Sequence, residues 1–210
     1  QLYAVLACIT PVLTFILSVK VFLDLNGLPV DTRALTQEVF TWFEVGEMRI
    51  SMGFLADPLS SLMLLFVTFT ASLIHIYSIG YMAGDDSFAR FFAYLNLFLG
   101  SMLILVLGNG PVVMFVGWEG VGLCSYLLIS YYNENQSNVI AGNKAFIVNR
   151  IGDFGFLLGM FLVWTTFGSL DFQEVAHRVA QVPVEAGFGI ISLATLLLFG
   201  LLLLFMTTGF

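Results

Sequence analysis

The chain has 210 residues, 59% of them hydrophobic and only 10% charged, and fourteen acidic against seven basic side chains give a net charge of −7. A water-facing surface needs about 25% charged residues, so a mean hydropathy of +0.97 excludes an ordinary soluble domain. No basic cluster is present, which excludes nucleic acid as a partner.

Six apolar segments are long enough to cross a hydrocarbon core of roughly 30 Å at about 1.5 Å per helical residue. They run over residues 2–23, 58–82, 91–108, 111–132, 145–167 and 187–206. In lipid the backbone must satisfy its own hydrogen bonds, so these runs are helices. Short polar breaks at 83–90, 109–110 and 133–144 make neighbouring spans antiparallel. Cys8 and Cys124 lie far apart in apolar runs and read as packing residues, with no disulfide framework or metal-ligand spacing.

After the first span, Met48, Ile50, Met52 and Phe54 alternate with Arg49, Ser51 and Gly53, the period of a half-buried strand. Residues 40–45 form a weaker strand candidate, with Gly46-Glu47 as the turn of a hairpin. Asp57-Pro58 then predicts a helix cap followed by proline at the first helical position. Gly80-xxx-Gly84 and Gly155-xxx-Gly159 match the small-xxx-small pattern of packed membrane helices. Beyond the fifth span, Asp171 and Glu174 make a helix start signal. Phe172, Val175, Ala176 and Val179 fall on one face, which predicts a short amphipathic helix on the membrane surface. Hairpin and surface helix belong to the same side, because four crossings separate them. Arg90, Lys144 and Arg150 at one face balance Arg33, Arg49 and Arg178 at the other, so the positive-inside rule assigns no orientation.

Five ionisable residues carry the candidate chemistry. Glu119, near the centre of the fourth span in Gly117-Trp118-Glu119-Gly120-Val121-Gly122, comes first. A carboxylate at that depth costs at least about 2.5–3.5 kcal/mol, so the expectation is proton exchange or charge balance inside the membrane. The alternative is a buried acid hydrogen-bonded for structure. Arg150 and Asp153, three residues apart, can pair on one helix surface, and Arg150 can also reach toward the interface. Lys144 stands at the start of the fifth span as an interfacial anchor or a charge partner. His75, seventeen residues into the second span, can relay protons near neutral pH or simply be hydrogen-bonded. No phosphate-cradling loop, Cys/His ligand set or nucleophile elbow appears, and no bound redox cofactor is expected in this chain.

Asp57-Pro58-Leu59-Ser60, Leu73-Ile74-His75-Ile76-Tyr77-Ser78 with Gly80-Tyr81-Met82, and Arg90-Phe91-Phe92-Ala93-Tyr94-Leu95-Asn96-Leu97-Phe98 resemble one family. So do the Glu119 motif and the stretch from Lys144-Ala145-Phe146 through Asn149-Arg150-Ile151-Gly152-Asp153. The family is chain 5 (subunit L) of NADH-quinone oxidoreductase, respiratory complex I, and the resemblance runs from about residue 57 to 171. It implies an all-α polytopic membrane protein: an antiporter-like helix bundle of about six spans here, with a short extramembrane β-hairpin and one amphipathic surface helix. It divides the chain into 1–56 (first span and hairpin loop), 57–168 (bundle core), 169–186 (surface helix) and 187–210 (last span).

The function it implies is proton translocation coupled to electron transport in the membrane arm. The position matching Glu119 pairs with a lysine on a later broken helix, and the position matching Asp153 lies in the same polar axis. NADH, flavin, iron–sulfur clusters and quinone belong to partner subunits. The implied partners are other membrane-arm subunits, the lipid bilayer and protons. The implied location is an energy-transducing membrane, bacterial inner membrane first and mitochondrial inner membrane second, with hairpin and surface helix on the outer side. After Leu198-Phe199-Gly200 the resemblance implies a Gly-Lys-Ser helix break, yet residues 201–210 read Leu-Leu-Leu-Leu-Phe-Met-Thr-Thr-Gly-Phe. The chain, which opens at Gln1 without a basic stretch of the signal-peptide kind, therefore reads as a fragment that does not translocate protons by itself. The alternatives are the large subunit of a multisubunit sodium/proton antiporter and a non-translocating membrane scaffold or remnant.

Overall fold

The computed structural model describes residues 2–46 and 48–181. The sixth span and the expected lysine break fall outside these residues. Among the described residues, five helices are long and apolar enough to cross a membrane. They are α1 (Leu2–Asn26), α2 (Pro58–Tyr81), α3 (Phe88–Leu107), α4 (Pro111–Ile129) and α5 (Gln136–Phe167). The hairpin strands β1 (Leu35–Val45) and β2 (Met48–Ala56) follow α1, and the amphipathic α6 (Phe172–Ala180) follows α5.

The α2 start is built as the sequence predicts. Asp57 accepts from the Ser60 amide (2.7 Å), and Ser60 Oγ accepts from the Asp57 amide (2.8 Å), a closed capping box ahead of Pro58. The buried stripe of α2 is Ser61, Leu64, Thr68, Ser72, His75 and Ser78, mostly small hydroxyl residues at helical spacing. Such a stripe lets helices approach closely in lipid, and Thr68 Oγ1 donates to Ser18 Oγ of α1 (3.3 Å). Pro11, inside α1, has no N–H for the Ala7 carbonyl. Asn96 of α3 supplies the missing donor: its Nδ2 lies 3.3 Å from Ala7 O.

Helices α3 and α4 meet across glycine. A Cβ on Gly117 would collide with the Leu105 backbone and come within 2.8 Å of the Ser101 carbonyl. One on Gly120 would stand 2.8 Å from Ser101 Cβ, whereas Gly122 faces open space. Two of the three glycines around Glu119 thus set the helix spacing. The Gly80-xxx-Gly84 pattern is not a helix seam, because α2 ends at Tyr81 and Gly84 lies beyond it with φ 92°. In α5, Gly152 and Gly159 are buried as a packing face requires.

The largest departure is at α5, which begins at Gln136, nine residues before the predicted Ala145. Asn135 caps it by accepting from the Ser137 amide (3.1 Å). Hydropathy marks the apolar part of a helix, not its end. This helix has 32 residues, roughly 48 Å, and its polar first turns extend past the hydrocarbon. Lys144 accordingly sits in the third turn, not at the helix start. Gly168 closes α5 in the left-handed region (φ 64°), its N–H donating to Trp164 O at 2.7 Å.

The hairpin is longer than predicted. Strand β1 starts at Leu35, and the two strands pair antiparallel from Leu35↔Ala56 to Val45↔Met48. Every β1 residue is exposed, so no burial alternation announced its first half. Register shifts at Glu38/Phe40 and Thr41/Phe43 interrupt the pairing, and of the predicted inner face of β2 only Ile50 is fully buried.

Hairpin, α3–α4 link and α6 meet at one residue, placing them on one side as the crossing count requires. The Asn109 amide donates to Gly53 O (3.2 Å), its Nδ2 to Ser51 Oγ (3.2 Å) and Asp171 Oδ2 (3.4 Å), and its carbonyl accepts from the Phe172 amide (3.0 Å). Asp171 caps α6 through the Gln173 and Glu174 amides. Glu174 does not return to the cap; it accepts from Ser169 Oγ (2.6 Å) and pairs with Arg178, which also binds the Phe167 carbonyl at the end of α5. No residue of α6 is buried, so its apolar side is left for the membrane interface. At the opposite face Tyr131 Oη donates to Asp85 Oδ1 (2.8 Å), and the Arg90 guanidinium lies 5.1 Å over the Tyr131 ring.

Candidate functional site: a shared-arginine carboxylate pair

Helices α4 and α5 bring three of the five candidate residues together. Arg150 of α5 pairs with Glu119 of α4 through Nη1, and the same nitrogen lies 3.5 Å from Asp153 Oδ2 one turn along α5. The predicted intrahelical pair exists, but the interhelical contact is the closer one. Arg150 therefore reaches across to α4 and remains half-exposed. Its guanidinium also lies 4.7 Å over the Phe146 ring.

The two acids differ in their surroundings. The Asp153 side chain is 6% exposed and that of Glu119 26%. Asp153 holds its other oxygen, Oδ1, against Trp118 Nε1, which donates at 2.7 Å. Two carboxylates thus share one cation and one neutral donor. They border a cavity of about 210 Å³ whose wall also includes Phe98, Ser125, Phe146 and Asn149. One helical turn toward the hairpin side, Phe115 and Phe156 stack with ring centroids 5.3 Å apart, an apolar layer over the polar cluster.

His75 and Lys144 do not join this cluster. His75 is buried, its Nδ1 donating to Ala71 O (2.8 Å), while Nε2 has no partner among the described residues. It lines a separate, apolar cavity of about 380 Å³ between α2 and α3, and Phe98 stands in the wall of both cavities. No residue of α2 borders the Glu119 cavity, so His75 stands apart from Glu119. Lys144 is exposed on α5, six residues or roughly 9 Å along the axis from Arg150. It forms no ion pair among the described residues.

Trp118 went unpredicted as a site residue. Its signal was nevertheless present: an indole N–H inside an apolar span requires an acceptor, and few acceptors other than the two acids exist at that depth.

Two family models match the chain. Residues 42–92 match the NADH-ubiquinone oxidoreductase (complex I) chain 5 N-terminus, and residues 109–210 match the NADH:quinone oxidoreductase/Mrp antiporter transmembrane family. NADH-quinone oxidoreductase subunit L of Mycobacterium tuberculosis is 43% identical over 195 residues, 93% of this chain. The Escherichia coli K12 subunit L is 39% identical over 182 residues, 87% of this chain. The chain spans 30% of the length of each. The structure of the Mrp complex from a Dietzia species shares the fold with a TM-score of 0.72 at 21% identity, covering 98% of this chain and 22% of that one. The bundle and hairpin together with these matches place the chain in the family of complex I chain 5 and its antiporter-like relatives.

Proposed function

We propose that this chain is the N-terminal part of a membrane-arm subunit that translocates protons in an NADH:quinone oxidoreductase. The observation that carries the reading is the Glu119–Arg150–Asp153 cluster. Two carboxylates and one guanidinium face a cavity large enough for several water molecules, well inside the apolar length of two spans. Such a cluster holds one negative charge more than its cation balances. A positive charge brought near lowers the cost of keeping both acids ionised, and one withdrawn favours proton uptake. Glu119 and Asp153 are the proposed proton sites, and Arg150 is the cation that couples them. His75, in its separate apolar pocket, serves as a candidate relay, and Lys144 as a candidate charge partner.

The redox chemistry belongs to other subunits, which carry NADH, flavin, iron–sulfur clusters and quinone. The proposed location is the bacterial inner membrane, with the hairpin and α6 on the outer side. Purification through a tag on the full-length protein tests this reading. The expected result is an NADH-oxidising, quinone-reducing assembly that acidifies one side of its membrane. Sodium/proton exchange without NADH oxidation would assign the chain instead to an Mrp-type antiporter, the other half of its matched family description.

A further inference from the structure

We propose that Trp118 is a positioning residue that takes the place of a second cation, keeping Asp153 ionised beside an arginine already committed to Glu119. This proposal deepens the proton-handling reading above and rests on it.

Three observations and one physical rule converge. Arg150 makes its close contact with Glu119 and leaves Asp153 at 3.5 Å, on Oδ2 alone. Asp153 is the more enclosed acid, at 6% side-chain exposure against 26%. An enclosed carboxylate without a strong partner takes up a proton, because desolvation penalises its charged form. The indole N–H of Trp118 lies 2.7 Å from Oδ1, within the range of hydrogen bonds to ionised acceptors.

Among the described residues, the charged groups facing Asp153 are Glu119 on α4 and Arg150 on its own helix; α3 contributes Phe98 to the cavity wall and no titratable side chain. The indole cannot gain or lose a proton at ordinary pH, so it acts as a fixed donor. It also anchors Oδ1, while Oδ2 is the oxygen nearer Arg150. The cluster then carries two anions against one cation, poised for an incoming proton or a second positive charge. Without the N–H, the two acids compete for one guanidinium, and a proton from the aqueous phase bonds to a carboxylate oxygen of the loser, Asp153.

Infrared spectroscopy of the assembled full-length protein in membranes tests this. Trp118→Phe keeps the ring and removes the donor. The expected result is a new carbonyl band of a protonated carboxylic acid near neutral pH, absent from the wild type, abolished by adding Asp153→Asn and weakened by adding Glu119→Gln, which frees Arg150 for Asp153. No new band, or one abolished only by Glu119→Gln, overturns the proposal. Should Trp118→Phe not assemble, isotope-edited infrared of the Trp118 N–H stretch in the parent protein decides. A hydrogen-bonded frequency that becomes free in Asp153→Ala supports the contact, and an unchanged frequency contradicts it. Neither readout depends on proton pumping, so a failure here leaves the proposed function to its own test.

Discussion

Arg150 reaches across to Glu119 on the neighbouring helix more closely than to Asp153 on its own. The shared arginine therefore fastens α4 to α5 at the depth where the chain carries its acids. In lipid this contact works more strongly than on a soluble surface, although the 45% exposure of the arginine side chain tempers it.

Removing the cation alone should be worse than removing the pair. Arg150→Met leaves two carboxylates without their partner, with an expected cost of about 1–3 kcal/mol after allowance for exposure. Adding Glu119→Gln should recover part of that loss. A double-mutant cycle by thermal unfolding in detergent measures the coupling, and strict additivity would show that the contact contributes nothing.

Gly117 and Gly122 lie on one helix with opposite expected tolerance. A Cβ at Gly117 meets the Leu105 backbone, which cannot move aside without shifting α3; one at Gly122 meets nothing within 4 Å. Gly117→Ala should destabilise the α3–α4 pair by about 1–3 kcal/mol, and Gly122→Ala should be close to neutral. Assembly yield and melting temperature of the two variants measure the difference.

Asn109 ties three elements with one side chain. Asn109→Ala removes its bonds to Ser51 and Asp171 while keeping the backbone bonds to Gly53 and Phe172. The expected loss is about 1–2 kcal/mol. It should appear as faster amide exchange in β2 and the first turn of α6, with the spans unaffected.

Acid should loosen α6 through Glu174. The hydroxyl of Ser169, and then Arg178, hold its carboxyl below the usual range, against a smaller opposing effect of burial. A depressed carboxyl stabilises the folded state above the unfolded value of about 4.3, and that contribution disappears as pH falls through the folded value. Protection of the α6 amides relative to their intrinsic exchange rates should therefore fall on acidification below about pH 4.3, and Glu174→Gln should flatten the dependence. At the other face Tyr131 behaves oppositely. Burial, and then the hydrogen bond and negative charge of Asp85, push its hydroxyl up to about 12. Its contribution is complete below about 10 and is lost as pH rises through 12. Tyr131→Phe should remove that alkaline sensitivity from the loop joining α2 and α3.

Much of this architecture was legible because membrane physics leaves few choices. The costs of burying Glu119 and of leaving backbone unpaired marked both the site and the spans, and Asp57-Pro58 marked the start of α2. Periodicity misled where burial was absent: β1 is exposed throughout, so its first five residues carried no alternation. The start of α5 was hidden because residues 136–144 are polar yet helical, beyond the hydrocarbon. Partner choice across helices was hidden for another reason. Spacing within one helix gave the Arg150–Asp153 pair, but only the packing of α4 on α5 gives Arg150 to Glu119 and Trp118 to Asp153. The same packing separates His75 from them behind Phe98.

The most direct test is the number of protons translocated per NADH oxidised by the assembled full-length protein carrying Glu119→Gln. A neutral, isosteric amide keeps the shape of the site and removes its proton. The expected result is a lowered proton-to-NADH ratio in vesicles with assembly and NADH:quinone activity retained. An unchanged ratio would contradict a role for Glu119 in translocation and leave it a structural acid.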